Sequence, residues 1–293
     1  MSGVTLPALN QKTLTLPAFA KLNLTLDILR KRPDGYHDLQ MVMQSIELHD
    51  DVTVTLTDGD GIVCRCGDIP GDESNLAVRA ARAFFDGAGV APCGLDIDIV
   101  KRIPAQAGMA GGSSDAAATL RALRKLLRPE LLGEDLERIG TRVGSDVPYC
   151  LRGGTALAEG RGERLTTLRA APKFHVVLCK PEFSISTPEL FSRVRVAELW
   201  SRPDTGGMLD ALHRGDAEGV LRRVKNVFET VLPQEYAEVF TIKGRLHELG
   251  ARATAMTGSG PTVFGLFEDE AAAEDAYDEL SEDYEDTFLT RFV

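Results

Sequence analysis

The stretch Pro104-Ala105-Gln106-Ala107-Gly108-Met109-Ala110-Gly111-Gly112-Ser113-Ser114-Asp115 places three glycines and two hydroxyls between an expected strand and an expected helix. Glycine admits positive φ and lets a ligand approach the backbone closely. A helix start offers N–H groups without helical partners and the positive end of the helix dipole. Together these make a site for an anion, and phosphate is the usual occupant. No Gly-Lys-Ser/Thr follows, so this is not a Walker A loop, and the dinucleotide fingerprint Gly-x-Gly-x-x-Gly is absent. A serine that merely caps the helix is the plainer alternative, yet paired glycines and paired serines exceed what a cap requires.

Two charged side chains invite a second reading. Asp146 follows a helix that ends at Gly144 and precedes Val147-Pro148. It suits either the cap of the helical turn beginning there or a carboxylate that takes the proton of a substrate hydroxyl. Lys21 lies in phase with the polar side of a strand whose other side is Leu22, Leu24, Leu26 and Ile28. Such a lysine either snorkels to solvent or offsets negative charge inside a site.

The elements that must hold these groups follow from hydrophobic period and turn chemistry. Strands are expected at 13–28, 52–57, 95–100, 174–179 and 287–292, with a strand pair over 154–168 and strands on both sides of 257–261. Arg30-Lys31-Arg32-Pro33-Asp34-Gly35 is a turn, and Asp58-Gly59-Asp60-Gly61 is expected to close a hairpin. Helices are expected at 76–85, capped by Ser74, and at 115–127, 134–143, 188–195, 206–213, 216–230, 236–249 and 270–280. The second half thus mixes helices with an antiparallel sheet, and 170–173 is the expected joint.

The chain has 293 residues, 43% of them hydrophobic and 26% charged, which suits one large or two ordinary globular domains and excludes disorder as the main state. A net charge of −11 argues against coating nucleic acid or anionic lipid. No apolar run is long enough to span a bilayer, and the N-terminal residues through Lys12 show no export signal, so the expected compartment is the cytoplasm. Cys64, Cys66, Cys93, Cys150 and Cys179 lack zinc-site spacing and read as reduced thiols. No metal-ligand set is evident.

At its glycine-rich loop the sequence resembles the GHMP kinases, whose signature is a proline, a short spacer, then Gly-Leu-Gly/Ala-Gly/Ser-Ser-Ser/Ala. Here Met109 stands for the commoner Leu and Ala110 for a commoner Gly. The likeness is most specific to members that phosphorylate a cytidine-diphosphate ester on the non-mevalonate route to isoprenoids. It is carried by Ala18-Phe19-Ala20-Lys21-Leu22-Asn23-Leu24, Arg32-Pro33-Asp34-Gly35-Tyr36-His37-Asp38-Leu39, Gly144-Ser145-Asp146-Val147-Pro148-Tyr149 and Gly258-Ser259-Gly260, in an order that spans nearly the whole chain.

The resemblance implies an α+β two-domain fold: a ribosomal-protein-S5-like α/β domain over 1–171 and a ferredoxin-like domain over 172–293. It implies that ATP, as its Mg²⁺ complex, lies along Pro104, Ala105, Gln106, Ala107, Gly108, Met109, Ala110, Gly111, Gly112, Ser113 and Ser114. Asp146 becomes the general base, with Lys21 favouring the ionised carboxylate and offsetting charge on the transferred group. Tyr36 would stack on the cytosine, His37 would bond its edge, and Phe191 would cover its other face. Without the family, His37 reads as a surface residue and Phe191 as core. Asn23 and Lys101 are weaker candidates for acceptor contact. Asn226 resembles a family element near the substrate, and 257–260 either turns N–H groups to the site or is a plain hairpin. Arg30, Lys31 and Arg32 form either a solvated turn or a phosphate contact. Another GHMP kinase, acting on homoserine or mevalonate, is the competing reading, and a non-catalytic nucleotide-binding regulator is a second.

Overall fold

The computed structural model describes residues 12–293, and 1–11, where most of the expected absence of an export signal falls, lie outside the described residues. Strands β1 (Thr13–Lys31), β2 (His37–Thr57) and β3 (Ile62–Arg65) come first. Helix α1 (Leu76–Ala88), strand β4 (Gly94–Val100) and helices α2 (Gly111–Leu127), α3 (Gly133–Thr141) and α4 (Val147–Arg152) follow. Strands β5 (Thr155–Gly160), β6 (Arg164–Thr167) and β7 (His175–Lys180) lead to helices α5 (Thr187–Arg193), α6 (Thr205–Arg214), α7 (Ala217–Leu221) and the short β8 (Lys225–Asn226). Last come α8 (Glu238–Glu248), β9 (Ala253–Met256), β10 (Val263–Phe267), α9 (Glu270–Ser281) and β11 (Asp286–Arg291).

By proximity the described residues form two compact units assembled from separate stretches of chain: 12–18, 49–102 and 111–152 in one, and 19–48, 103–110 and 153–293 in the other. Strands β1 and β2 each contribute to both.

In the first unit the later part of β2 pairs antiparallel with β4, from Asp51 opposite Val100 to Thr57 opposite Gly94. Alternation puts Val52, Val54, Leu56, Leu95, Ile97 and Ile99 inside. Helix α2 packs on α1 and α4 and buries Ala116, Ala117, Ala118, Leu120 and Leu123. These small alanines let the helices approach closely. The expected hairpin at 58–61 is not formed: β3 does not return beside β2 but runs parallel to β4, Ile62 opposite Leu95. The cap of α1 is Asn75, whose side chain accepts from Ala77 N–H at 2.9 Å, while Ser74 is turned to Asp72.

In the second unit the early part of β2 pairs with β5, and β5 with β6, while β1 runs parallel to β8. Strands β7, β9, β10 and β11 form a separate four-stranded sheet in the order β11-β7-β10-β9. With α8 and α9 as crossovers this is the ferredoxin-like 4-1-3-2 arrangement expected for the second half. Val176, Leu178, Phe264 and Leu266 from that sheet share one core with Leu22, Leu24, Val42 and Ile46. The expected helix over 216–230 is broken into α7, β8 and a 3₁₀ stretch at Val227–Val231. Asn226 explains the break, since its side chain caps that stretch and bonds the 256–258 turn, and these tertiary bonds outweigh local helix preference.

Candidate active site

Lys21 is only 4% exposed, which excludes the snorkelling role. Its Nζ donates to Asn23 Oδ1 at 2.6 Å and to the Gly108 carbonyl at 2.8 Å, and its backbone N–H donates to Met109 O at 3.2 Å. Asn23 Oδ1 also accepts from Gly258 N–H at 2.9 Å and from the Thr257 hydroxyl at 3.4 Å. From the other side Asn226 Nδ2 donates to Met256 O at 2.7 Å and Gly258 O at 2.8 Å. The polar side of β1 is therefore as buried as its apolar side, and it fastens the 257–260 turn to the glycine-rich loop.

Within that loop the left-handed residues are Gln106 (φ 53°), Gly108 (φ 75°) and Ala110 (φ 61°). Gly111 and Gly112 instead belong to the first turn of α2, which begins four residues earlier than its expected start at 115. The intervening Ala107 and Met109 have ordinary backbone and buried side chains in the core. Three positive φ angles within five residues fold this loop tightly back on itself. A Cβ on Gly108 would stand 2.3 Å from the Thr257 carbonyl oxygen, and one on Gly258 2.7 Å from Gly108 O. The two turns therefore meet backbone to backbone. Gly108→Ala is expected to cost about 1–3 kcal/mol and to lower Tm by several degrees. Gly112→Ala, whose added methyl would meet only Leu76 at 3.5 Å on a helix, is expected to leave Tm unchanged or raised. Thermal melts of the two variants check this.

The loop runs directly into α2. Ser114 is buried, its hydroxyl donating to Cys150 Sγ at 3.3 Å, whereas Ser113 is half-buried. A Cβ on Gly144 would lie 3.9 Å from Ser113 Oγ, so the 144–146 turn rests against the first turn of α2. Asp146 begins α4 by accepting from Cys150 N–H through its backbone oxygen at 3.0 Å. Its half-buried carboxylate makes no hydrogen bond or ion pair among the described residues, so a side-chain cap is not its role.

Lys101 sits in a buried triad, its Nζ 2.5 Å from Asp50 Oδ2 and 2.8 Å from Asp115 Oδ2. Two of its three donors are thereby engaged. Burial opposes its charge, but Asp115 and Asp50 outweigh burial and raise Lys101 above the ordinary lysine range. Burial pushes the Asp115 carboxyl up to about 7, Lys101 pulling against it and Asp50 adding to it. Among the described residues Asp115 Oδ1 has no hydrogen-bond partner.

His37 is buried with its ring stacked on Phe191, centroids 5.0 Å apart and planes at 21°. At that distance the rings touch, and no base fits between them. Phe191, carried by α5 behind the Ser186 cap, also meets Phe228 edge-on at 4.9 Å. Burial, then the charge of Lys31, holds the His37 imidazole below the usual histidine range, so it is neutral near pH 7 with one donor and one acceptor. Tyr36 projects from its turn, 55% exposed. Arg30 and Arg32 both engage Asp38, at 2.5 and 3.0 Å.

Sequence reasoning missed Asp50 and Arg161 as structural partners of these groups, and of the 257–260 turn it foresaw backbone contacts but not the Thr257 hydroxyl. Nothing local marked Asp50. All five cysteines are free thiols. Among the described residues no helix is long and apolar enough to cross a membrane, and no group of three or more His, Cys, Asp or Glu could hold a metal ion.

The chain matches the GHMP kinases N terminal domain over residues 75–154 and the GHMP kinases C terminal domain over 208–286. It is 41% identical over 277 residues to the 4-diphosphocytidyl-2-C-methyl-D-erythritol kinase of Clostridium botulinum (strain Kyoto / Type A2), covering 94% of this chain and 99% of that one. It is 40% identical over 279 residues to the kinase of the same name from Clostridium kluyveri (strain ATCC 8527 / DSM 555 / NBRC 12016 / NCIMB 10680 / K1), covering 95% and 99%. A crystal structure of 4-(cytidine 5'-diphospho)-2C-methyl-D-erythritol kinase superposes with a TM-score of 0.82 at 33% identity, covering 95% of this chain and 99% of the other.

Proposed function

The chain belongs to the GHMP kinase family, and from that premise we propose that it transfers the γ-phosphoryl group of ATP to the 2-hydroxyl of 4-(cytidine 5'-diphospho)-2-C-methyl-D-erythritol. The names of its relatives and the acceptor motif Asp34-Gly35-Tyr36-His37 support this substrate over homoserine or mevalonate.

The reading of the chemistry rests above all on one observation, a half-buried Asp146 carboxylate with no hydrogen-bond or ion-pair partner among the described residues, in a turn against the Ser113 end of α2. In this reading the N–H groups of 104–114 cradle the triphosphate, and ATP enters with Mg²⁺. Asp146 takes the proton of the acceptor hydroxyl as its oxygen bonds to the γ-phosphorus. The bond from that phosphorus to the bridging oxygen breaks, ADP leaves, and Asp146 releases the proton to solvent. Lys21 offsets the negative charge that develops during transfer. Asn23, Tyr36, His37, Lys101 and Phe191 are assigned to the acceptor, the neutral His37 ring suiting a base edge that both donates and accepts.

We further assign 172–293 as the C-terminal domain in chain order, 168–174 carrying neither helix nor strand, and place the enzyme in the cytoplasm. ADP release measured with the cytidyl ester, homoserine and mevalonate in parallel tests the substrate. Turnover with the ester alone is expected, and a preference for either other alcohol overturns the assignment.

A further inference from the structure

Arg161 stands at the tip of the β5–β6 connection between two left-handed glycines, Gly160 (φ 71°) and Gly162 (φ 112°). Its backbone N–H donates to Glu163 Oε2 at 2.6 Å, which pins the turn. Its guanidinium carbon lies 4.2 Å from the centroid of the Tyr36 ring. Among the described residues no carboxylate pairs with that guanidinium, in contrast to Arg30 and Arg32 on Asp38. The Tyr36 backbone is held as well, with Arg32 N–H donating to Tyr36 O at 2.7 Å and Tyr36 N–H to Asp34 Oδ1 at 3.1 Å. What remains adjustable is the ring, and an exposed ring on a turn samples several rotamers. A guanidinium laid on one face restricts that sampling before any ligand arrives and leaves the other face for a planar group. Phe191 is likewise backed, by His37 and Phe228.

We propose that Arg161 is a positioning residue that acts through Tyr36, fixing the ring as a ready platform for the pyrimidine of the acceptor. The proposal rests on the reading of Tyr36 as an acceptor contact, and steady-state kinetics with the cytidyl ester and MgATP separate the two. Arg161→Ala is expected to raise the acceptor KM about two- to fivefold, with kcat and the KM for ATP unchanged. Arg161→Lys, which keeps the cation but not the planar stack, is expected to recover part of that loss. Tyr36→Ala is expected to raise the acceptor KM, and adding Arg161→Ala to it is expected to change nothing further. An unchanged acceptor KM in Tyr36→Ala removes Tyr36 from the acceptor site and this proposal with it. A raised KM in Tyr36→Ala with none in Arg161→Ala defeats the positioning role alone. An equal Arg161→Ala effect in both backgrounds shows that Arg161 acts on the acceptor directly, which also overturns the proposal.

Discussion

Asp146→Asn is expected to lower kcat by about two to four orders of magnitude while leaving the affinity for MgATP unchanged. The amide matches the carboxylate in size but cannot take a proton. Because the Asp146 side chain does not cap α4, the substitution is expected to leave Tm unchanged, so a fall in rate reads as chemistry rather than unfolding. Lys21→Met is a less clean probe. The Lys21 ammonium serves both Asn23 and the Gly108 carbonyl, and its loss strips a buried acceptor as well as a charge. Single-turnover rates with a separate nucleotide-binding measurement decide the case, and a near-normal rate in Asp146→Asn removes it as general base.

Lys101→Met is expected to destabilise the fold by about 3–5 kcal/mol, because it leaves the buried carboxylates of Asp50 and Asp115 facing one another without a cation. That corresponds to a fall in Tm of about five to eight degrees for a chain of this size. The loss depends on pH. A carboxyl whose folded-state pKa lies above its unfolded one stabilises the fold while protonated. For Asp115 that contribution is full below about pH 4 and fades as the pH rises through about 7. The native protein is therefore expected to lose stability across that window. The penalty of Lys101→Met is expected to be larger at pH 8.5 than at pH 5.5, where a proton relieves the pair. Melts at both pH values check this, and an equal penalty at each contradicts the triad as the cause.

The parts of the site that local chemistry specifies were legible in the chain. Glycines and serines before an alanine-rich helix announced a tight loop running into α2, and the alternation of Leu22, Leu24 and Leu26 announced β1. The positive φ values were less accessible. Composition points to Gly108, Gly111 and Gly112; Gly108 is left-handed, but α2 absorbs the other two, and the remaining left-handed positions fall at Gln106 and Ala110, beside the buried Ala107 and Met109. Asp146 illustrates a deeper limit, since an aspartate before Val-Pro suits a cap more readily than a base, and the absence of a side-chain hydrogen bond among the described residues removes only the first reading. The stack of His37 on Phe191 joins residues far apart in sequence, which no local pattern encodes. The broken helix at 222–226 has the same origin, a side chain whose partners lie thirty residues on.

The turn that Asn23 and Asn226 tie down from opposite sides has a thermodynamic corollary. Its Gly258 peptide is held on both the N–H and the carbonyl side by asparagine amides, and Thr257 and Gly260 N–H by backbone carbonyls, so little freedom remains there for a ligand to take away. A molecule that settles on this floor gains affinity from its own fit, and stiffening the surface beneath it adds nothing.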